Sequence, residues 1–557
     1  MRFSIRAAAF AAILAACCFN AVAPAADPVI VGDELVFPEG AEIPRSLTET
    51  ERKYLQTHPR LPSRAVTPPP TGQIRCVAEY EPMDGILMSW EAFTTTLTAM
   101  SADITNNAGA DVYMVVDTTG EQSTATTALT SGGVNMSRVK FVVRTTDSVW
   151  IRDYGPRYIY QGQCRAIIDH DYNRPRPNDD LLPSYFSTVK HHAYYEHQLI
   201  HGGGNFHLNA LGRSFVTKLI VNENPGLTQA QIHGIWQSYQ NVDTHFFDPF
   251  PTTVDATQHI DMWMQVIADD RVVISDWPSN SGSAQDIICD DAAVYMASQG
   301  FTVYRVPARS ISGVHYTYTN MVMCNNRVLL PSYTLAGMSA HNTEALNAMN
   351  VALAGTGKTV VQIPNCDPIA QLAGVIHCIV MHVPRHLGAA GPAGGLAPTA
   401  WLRNFRGGEV VPPAVPGDIL WITDDDVSVS NVDLLLSTDG GQTFDTVLAA
   451  ATVDDGAFSW TPPNVFAPHA RLRVVARDGL GNTGSDESPA DFTINGAPVL
   501  GDMNCDARLT TADTEQFIQA LLDASAFTGC DIDFADMNGD GRLDALDAAA
   551  FADALVP

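Results

Sequence analysis

Positive charge is scarce in this chain: 32 Lys and Arg stand against 61 Asp and Glu, a formal balance of −29. Nucleic-acid binding calls for a basic face, and an anionic membrane surface repels acid, so the balance argues against both. A cationic substrate is favoured. Beyond the N-terminus no apolar run approaches the roughly 20 residues that span a bilayer. Cysteine is also sparse, 10 in total with two of them near the N-terminus. That is too few for a fold stapled by disulfides, although export would permit some.

An apolar fraction of 46% over 557 residues supplies an ordinary core and predicts three or four domains. Arg2 and Arg6 precede the apolar stretch 7–16, and small-residue cleavage sites end at Ala23 and Ala25. This predicts a signal peptide over 1–25 and a secreted protein. Leu14 to Cys17 also resembles a bacterial lipobox, which would leave a cell-surface lipoprotein anchored through Cys17. The Pro-rich stretch 26–72 reads as an extended arm or pro-region.

Over 73–403 strand and helix signals alternate, which predicts an α/β domain built from several similar units. Strands are expected at 85–90, 112–116, 139–143, 166–169, 214–221, 272–275, 302–306, 328–330 and 359–363. Helices are expected at 228–239, capped by Thr228, and at 343–354. The apolar run 373–381 reads as a buried strand carrying Cys378, and a thiol there is ordinarily inert packing. His259 and Asp261, one residue apart, would share one face of a strand. Asp153 lies just before Gly155 and Pro156 and so at a turn, and Asn320 fits a turn as well. His377 would point away from its neighbour Cys378. Together these residues offer a thiol, an imidazole and two carboxylates, the equipment for nucleophilic attack on a cation.

Six motifs follow one another: Glu79 to Pro82, Trp150 to Pro156, Gly202 to Asn205, His259 to Asp261, Tyr318 to Asn320, and Ile376 to Cys378. In order and spacing they resemble the bacterial (Porphyromonas-type) peptidylarginine deiminase and agmatine deiminase family over residues 75–400. The resemblance implies a pentein fold, five units around a pseudo-fivefold axis. It implies that Asp153 and Asp261 hold a guanidinium, that Cys378 attacks its central carbon, and that His259 moves the protons. Trp150 would pack over the guanidinium, and Asn320 would belong to the site. No cofactor is expected for the catalysis.

Arg174 and Arg176, stiffened by Pro175 and Pro177, could present two forks to a substrate carboxylate. That favours a peptide's C-terminal arginine over agmatine, which has no carboxylate. Both Arg could instead pair with Asp179, Asp180 or other acids. The expected activity is conversion of peptidyl arginine to citrulline and ammonia through a covalent thiouronium on cysteine. The alternatives are a secreted agmatine deiminase giving N-carbamoylputrescine, and a non-catalytic adhesion or scaffold protein.

Short strands at 418–423, 432–437, 444–448, 458–460 and 470–475 resemble an immunoglobulin-like β-sandwich over 404–497. The stretch 498–557 holds two alternating-oxygen loops, Asp502, Asn504, Asp506 and Asp513, then Asp536, Asn538, Asp540 and Asp547. Such spacing suits Ca²⁺, with helices expected at 514–522 and 548–555. The duplication resembles a dockerin, which implies a small helical Ca²⁺-binding module and a cohesin-like or cell-surface partner. Cys505 and Cys530 could brace the first loop.

Overall fold

The computed structural model describes residues 27–38, 40–59 and 66–556. The expected signal peptide and Cys17 lie outside them. Among the described residues no helix is long and apolar enough to cross a membrane.

Five small sheets share one plan: an antiparallel strand pair, a helical crossover, then a parallel strand. The second sheet pairs Arg157–Gln161 with Cys164–Tyr172 and adds Ala193–His201 in parallel. The third is built from His207–Leu208, Arg213–Thr217 and Asp243–Phe247. Met264–Ala268, Arg271–Asp276 and Thr302–Pro307 form the fourth. Val322–Cys324, Arg327–Pro331 and Thr359–Ile363 form the fifth. In the first sheet the strand pair is made by distant segments: Met381–Pro384 runs antiparallel to Met83–Ser89, which continues in parallel to Asp111–Val116 and Val139–Val143. The last strand of the domain thereby closes the ring on the first.

Burial on both faces explains the strands' continuous apolar runs. Val112, Met114, Val273, Ile274, Val328 and Leu329 all lie within one buried cluster. Crossover helices cover the outside. Gln229–Gln240 starts with a capping box in which Thr228 accepts from the Gln231 N–H and Gln231 answers the Thr228 N–H. It buries Ile232 and Trp236 on the sheet side. The strand expected at 214–221 ends earlier, at Thr217, and the chain turns into the helix Leu219–Glu223. Thr217 N–H is held by the Asn205 side chain, which steers the chain off the sheet there.

Two departures matter for the site. The stretch before residue 59 is not an extended arm. Val29–Val31 and Glu34–Val36 form a hairpin, and Glu49–Thr57 is a helix capped by Thr48 and Glu51. The run 373–381 is not a strand either. Ala373 has φ 66°, His377–Ile379 is a single 3₁₀ turn, and the strand starts only at Met381.

Beyond the five sheets lies a β-rich region. Thr399–Leu402, Gly417–Asp424 and Ala457–Trp460 form one sheet. Val429–Ser437, Thr446–Thr452, Phe466–Asp478, Thr483–Glu487 and Phe492–Asn495 lie in a second. Phe466–Asp478 alternates buried and half-buried residues along most of its length, with Leu472 and Val474 packed toward Trp421 and Phe492. Buried Arg165 of the second catalytic sheet reaches Asp424 with Nε and Nη2, tying this region to the first. At the C-terminus the helices Thr514–Leu522 and Ala545–Leu555 stack Phe517 on Phe551, ring centres 3.9 Å apart. Cys505 and Cys530 are joined in a disulfide, whereas Cys76, Cys164, Cys289, Cys324, Cys366 and Cys378 are free and buried.

Candidate active site

Each sheet delivers one residue to the centre from the same place in its plan, just before the first strand of its antiparallel pair. Asp153 precedes Arg157–Gln161, and Gly204 precedes His207–Leu208. Asp261 precedes Met264–Ala268, Asn320 precedes Val322–Cys324, and Cys378 precedes Met381–Pro384. The fivefold repeat explains how residues more than two hundred positions apart in the chain meet.

They meet around a guanidinium, that of Arg45 from the N-terminal stretch. Its side chain is fully buried. Nε and Nη2 donate to the two oxygens of Asp153, each at 2.8 Å. Nη1 and Nη2 donate to Asp261 at 3.2 and 3.1 Å. Nη2 lies 2.7 Å from His259 Nδ1, and Nη1 lies 2.7 Å from Cys378 Sγ. The planar fork of arginine thus meets two carboxylates bidentately, a base and a thiol at once. Gly204 leaves the room for it. A Cβ there would stand 2.0 Å from Arg45 Nη2 and 2.8 Å from an oxygen of each aspartate.

His259 and Asp261 do not lie on a strand face. His259 precedes the 3₁₀ turn Ile260–Met262. Asn205 Oδ1 fixes this turn by accepting from Ile260 N–H while its amide also bridges Thr217. Asn320 gains a definite place: its Nδ2 donates to Cys378 Sγ at 3.2 Å and its Oδ1 accepts from His377 N–H at 3.0 Å. Val375 N–H approaches the same sulfur at 3.4 Å. Two donors therefore face the thiol where charge would develop. Trp150 is fully buried beside the arm. Its indole N–H donates to Ile43 O at 2.7 Å, and Gly374 makes space for its ring. Arg174 Nε donates to the Arg45 carbonyl, and Arg176 Nε donates to Glu51 at 2.8 Å. Arg176 thus pairs with an acid, as the alternative reading allowed, but with Glu51, while Asp179 acts on it through its charge.

His377 is more than packing. Its ring joins Asp261 Oδ2 at 3.0 Å to Glu79, which also receives Arg152 at 2.6 Å. Burial alone would raise the Glu79 carboxyl, but Arg152 and His377 hold it well below the usual range. Asp153 and Asp261 are lowered in the same way, against burial, first by Arg45. Cys378 goes the other way. Burial pushes its thiol well up and Asp261 and Asp153 add to this, while Arg45 and, after it, the Val375 N–H oppose them. A cation in the slot is therefore what draws this cysteine toward thiolate. Arg45, Glu51, Glu79 and His377 were not expected here. Glu79 stood in one of the six motifs; nothing local to Arg45 distinguishes it from other arginines.

The model of the Porphyromonas-type peptidyl-arginine deiminase family matches residues 75–384. The chain belongs to this family. It is a hydrolase-type deiminase acting on a guanidino C–N bond, and its ring of five sheets is the pentein fold. A second model, the dockerin type I domain, matches residues 500–555. A protein of Shewanella frigidimarina named "Putative agmatine deiminase" is 24% identical over 295 residues, 44% of this chain and 76% of its own. One of the same name from Selenomonas ruminantium is 21% identical, over 55% of this chain and 95% of its own. The X-ray structure of a "putative agmatine deiminase" aligns at TM-score 0.50 and 18% identity, over 56% of this chain and 96% of its own. The arm that fills the ring's centre lies before the residues that the deiminase family model matches.

Proposed function

We propose that this deiminase converts peptidyl arginine to citrulline and ammonia, with Cys378 as nucleophile. The observation that carries the reading is a peptide-borne guanidinium seated on Asp153, Asp261, His259 and Cys378. The Cys378 thiolate, favoured by the bound cation, bonds to the central carbon while His259 carries a proton. The two aspartates keep the guanidinium plane fixed. His259 gives the proton to the nitrogen beside it, the C–N bond breaks and ammonia leaves. Water, deprotonated by His259, then attacks the thiouronium carbon, the C–S bond breaks, and the ureido product is released. Asn320 and Val375 N–H steady the sulfur's negative charge.

A peptide backbone fits as well as the side chain. Arg45 N–H donates to Leu372 O and its carbonyl accepts from Arg174. Agmatine keeps the nitrogen, as a terminal amine, but has no carbonyl for Arg174. The carbonyl that Arg174 receives would be a carboxylate oxygen in a C-terminal arginine, so such a peptide adds charge to that bond. The relatives' names favour agmatine as the second reading. Ammonia release from C-terminal arginine peptides, internal arginine peptides, free arginine and agmatine decides between them. A kcat/KM highest for agmatine would overturn the peptidyl assignment, and ammonia from none would favour the scaffold reading.

We further propose export, in keeping with the N-terminal sequence, and Ca²⁺ in the dockerin-type loops with a cohesin-type partner. The first loop suits a divalent cation. Asp502 is pushed up to about 7, by burial and then by the charges of Asp506 and Asp513. A hard cation among these oxygens relieves that repulsion.

A further inference from the structure

Arg45 occupies the site as a substrate would, and the stretch around it is built into the catalytic ring. Ile43, Arg45, Thr48 and Glu51 are all buried. Trp150 holds the Ile43 carbonyl, Arg176 holds the Pro44 carbonyl at 2.7 Å, and Arg174 holds that of Arg45. Glu51 closes the arm from inside by accepting both Arg176 and the Thr48 N–H. Contacts of this kind read the backbone of one peptide in one register.

The reacting groups stand within reach of one another. The sulfur is 2.7 Å from Nη1. A partial double C–N bond is about 1.3 Å long, so the sulfur lies within about 4 Å of the central carbon. The imidazole touches the other terminal nitrogen, the one that would leave. A second guanidinium has no place while this one remains.

We infer that Arg45 is the deiminase's own first substrate, a modification site converted to citrulline in cis. The inference rests on the proposed deiminase activity. The Cys378 sulfur bonds to the Arg45 central carbon, the bond to Nη2 breaks with a proton from His259, and ammonia leaves. One water supplies the oxygen of citrulline, and the thiol is restored. The product has lost its positive charge and presents a carbonyl in place of N–H donors to two buried carboxylates. The bonds of Nη2 to Asp153 and Asp261 are lost with the charge, only those of Nε and Nη1 remain, and the weakened hold on the arm makes the slot available to other guanidines.

Mass mapping of the full-length chain tests this. The wild type should carry the mass gain of NH replaced by O at position 45, and Cys378→Ala should carry arginine there. Wild-type chain mixed with Cys378→Ala chain should leave the variant's Arg45 unmodified, because the step occurs within one molecule. Calorimetry with agmatine gives a second readout: Cys378→Ala should bind it at least tenfold more weakly than Cys378→Ala/Arg45→Ala. Arg45→Ala reports on the deiminase reading by itself. If it releases ammonia while wild-type Arg45 stays unmodified, self-deimination is overturned and the deiminase stands. If Arg45→Ala is folded and silent on every guanidino substrate, the deiminase reading falls and takes this inference with it.

Discussion

Cys378 has the environment of a nucleophile that works only on a cation. Burial and two aspartates disfavour its thiolate, and the occupant's guanidinium reverses part of that. Cys378→Ala should abolish ammonia release with the fold intact, since Ala fits a fully buried small site. His259→Ala should lower the rate on the order of 10²–10⁴-fold, the worth of a positioned acid–base group. Wild-type turnover in Cys378→Ala would end the assignment. Gly204 makes a sharper test of the slot. Its added Cβ would collide with the guanidinium and both carboxylates, yet it faces the slot rather than a packed core. Gly204→Ala should therefore cut kcat/KM for every guanidino substrate by tenfold or more while circular dichroism still shows a folded chain. A loss for peptides alone would mean that the guanidinium sits elsewhere.

At the scale of elements, the Arg174 to Pro177 segment reads the peptide backbone that carries the guanidinium. Its two arginines take a carbonyl and a carboxylate from the N-terminal stretch. Replacing both with Ala should cost C-terminal arginine peptides tenfold or more in kcat/KM, since a charged hydrogen bond is worth roughly 1.5–3 kcal/mol. Agmatine should be spared. Lysine should not rescue the loss, because an ammonium lacks the planar fork. Steady-state kinetics on amidated and free-acid peptides checks the origin of the effect: amidation should remove most of the difference, and equal losses would make the two arginines supports of the fold.

At the scale of the molecule, Arg165 and Asp424 join the catalytic ring to the β-rich region inside a buried network with His192 and His386. Burial would raise the Asp424 carboxyl, but Arg165 and the two histidines hold it well below its usual range. A carboxyl depressed in the fold lends stability above its unfolded pKa of about 3.9 and loses it as pH falls through the lower folded value. Asp424→Asn should thus destabilise the protein by roughly 3–5 kcal/mol near neutrality, because Arg165 is left buried and uncompensated. The gap between wild type and variant should close in acid, below about pH 4. Denaturant melts across pH test the sign; a gap that widens in acid would refute it. A separate expectation concerns the two acidic loops. EDTA should unfold residues 498–557 and leave deimination unchanged, by circular dichroism and ammonia assay. Loss of activity restored by Ca²⁺ would place the ion in the catalytic domain.

Much of this was legible in the chain itself. Strands such as Val139–Val143 and Thr359–Ile363, and the Thr228 helix cap, arise from β-branched runs and local hydrogen bonding, which depend on neighbours in sequence. The six motifs carried the family and the residues proposed for its chemistry. Local patterning failed where the backbone is held by distant partners. The stretch around Cys378 looks like a strand but is a turn, because the Asn320 side chain takes His377 N–H out of any ladder. His377 looks like packing until Glu79 and Asp261 arrive on either side. Arg45 is the clearest case. Its sequence neighbours say nothing of a site assembled from residues 108 to 333 positions away. The sequence by itself determined which groups could do the chemistry. Only the closure of the five sheets, which buries opposite charges in one small space and makes each demand a partner, decided which arginine they hold.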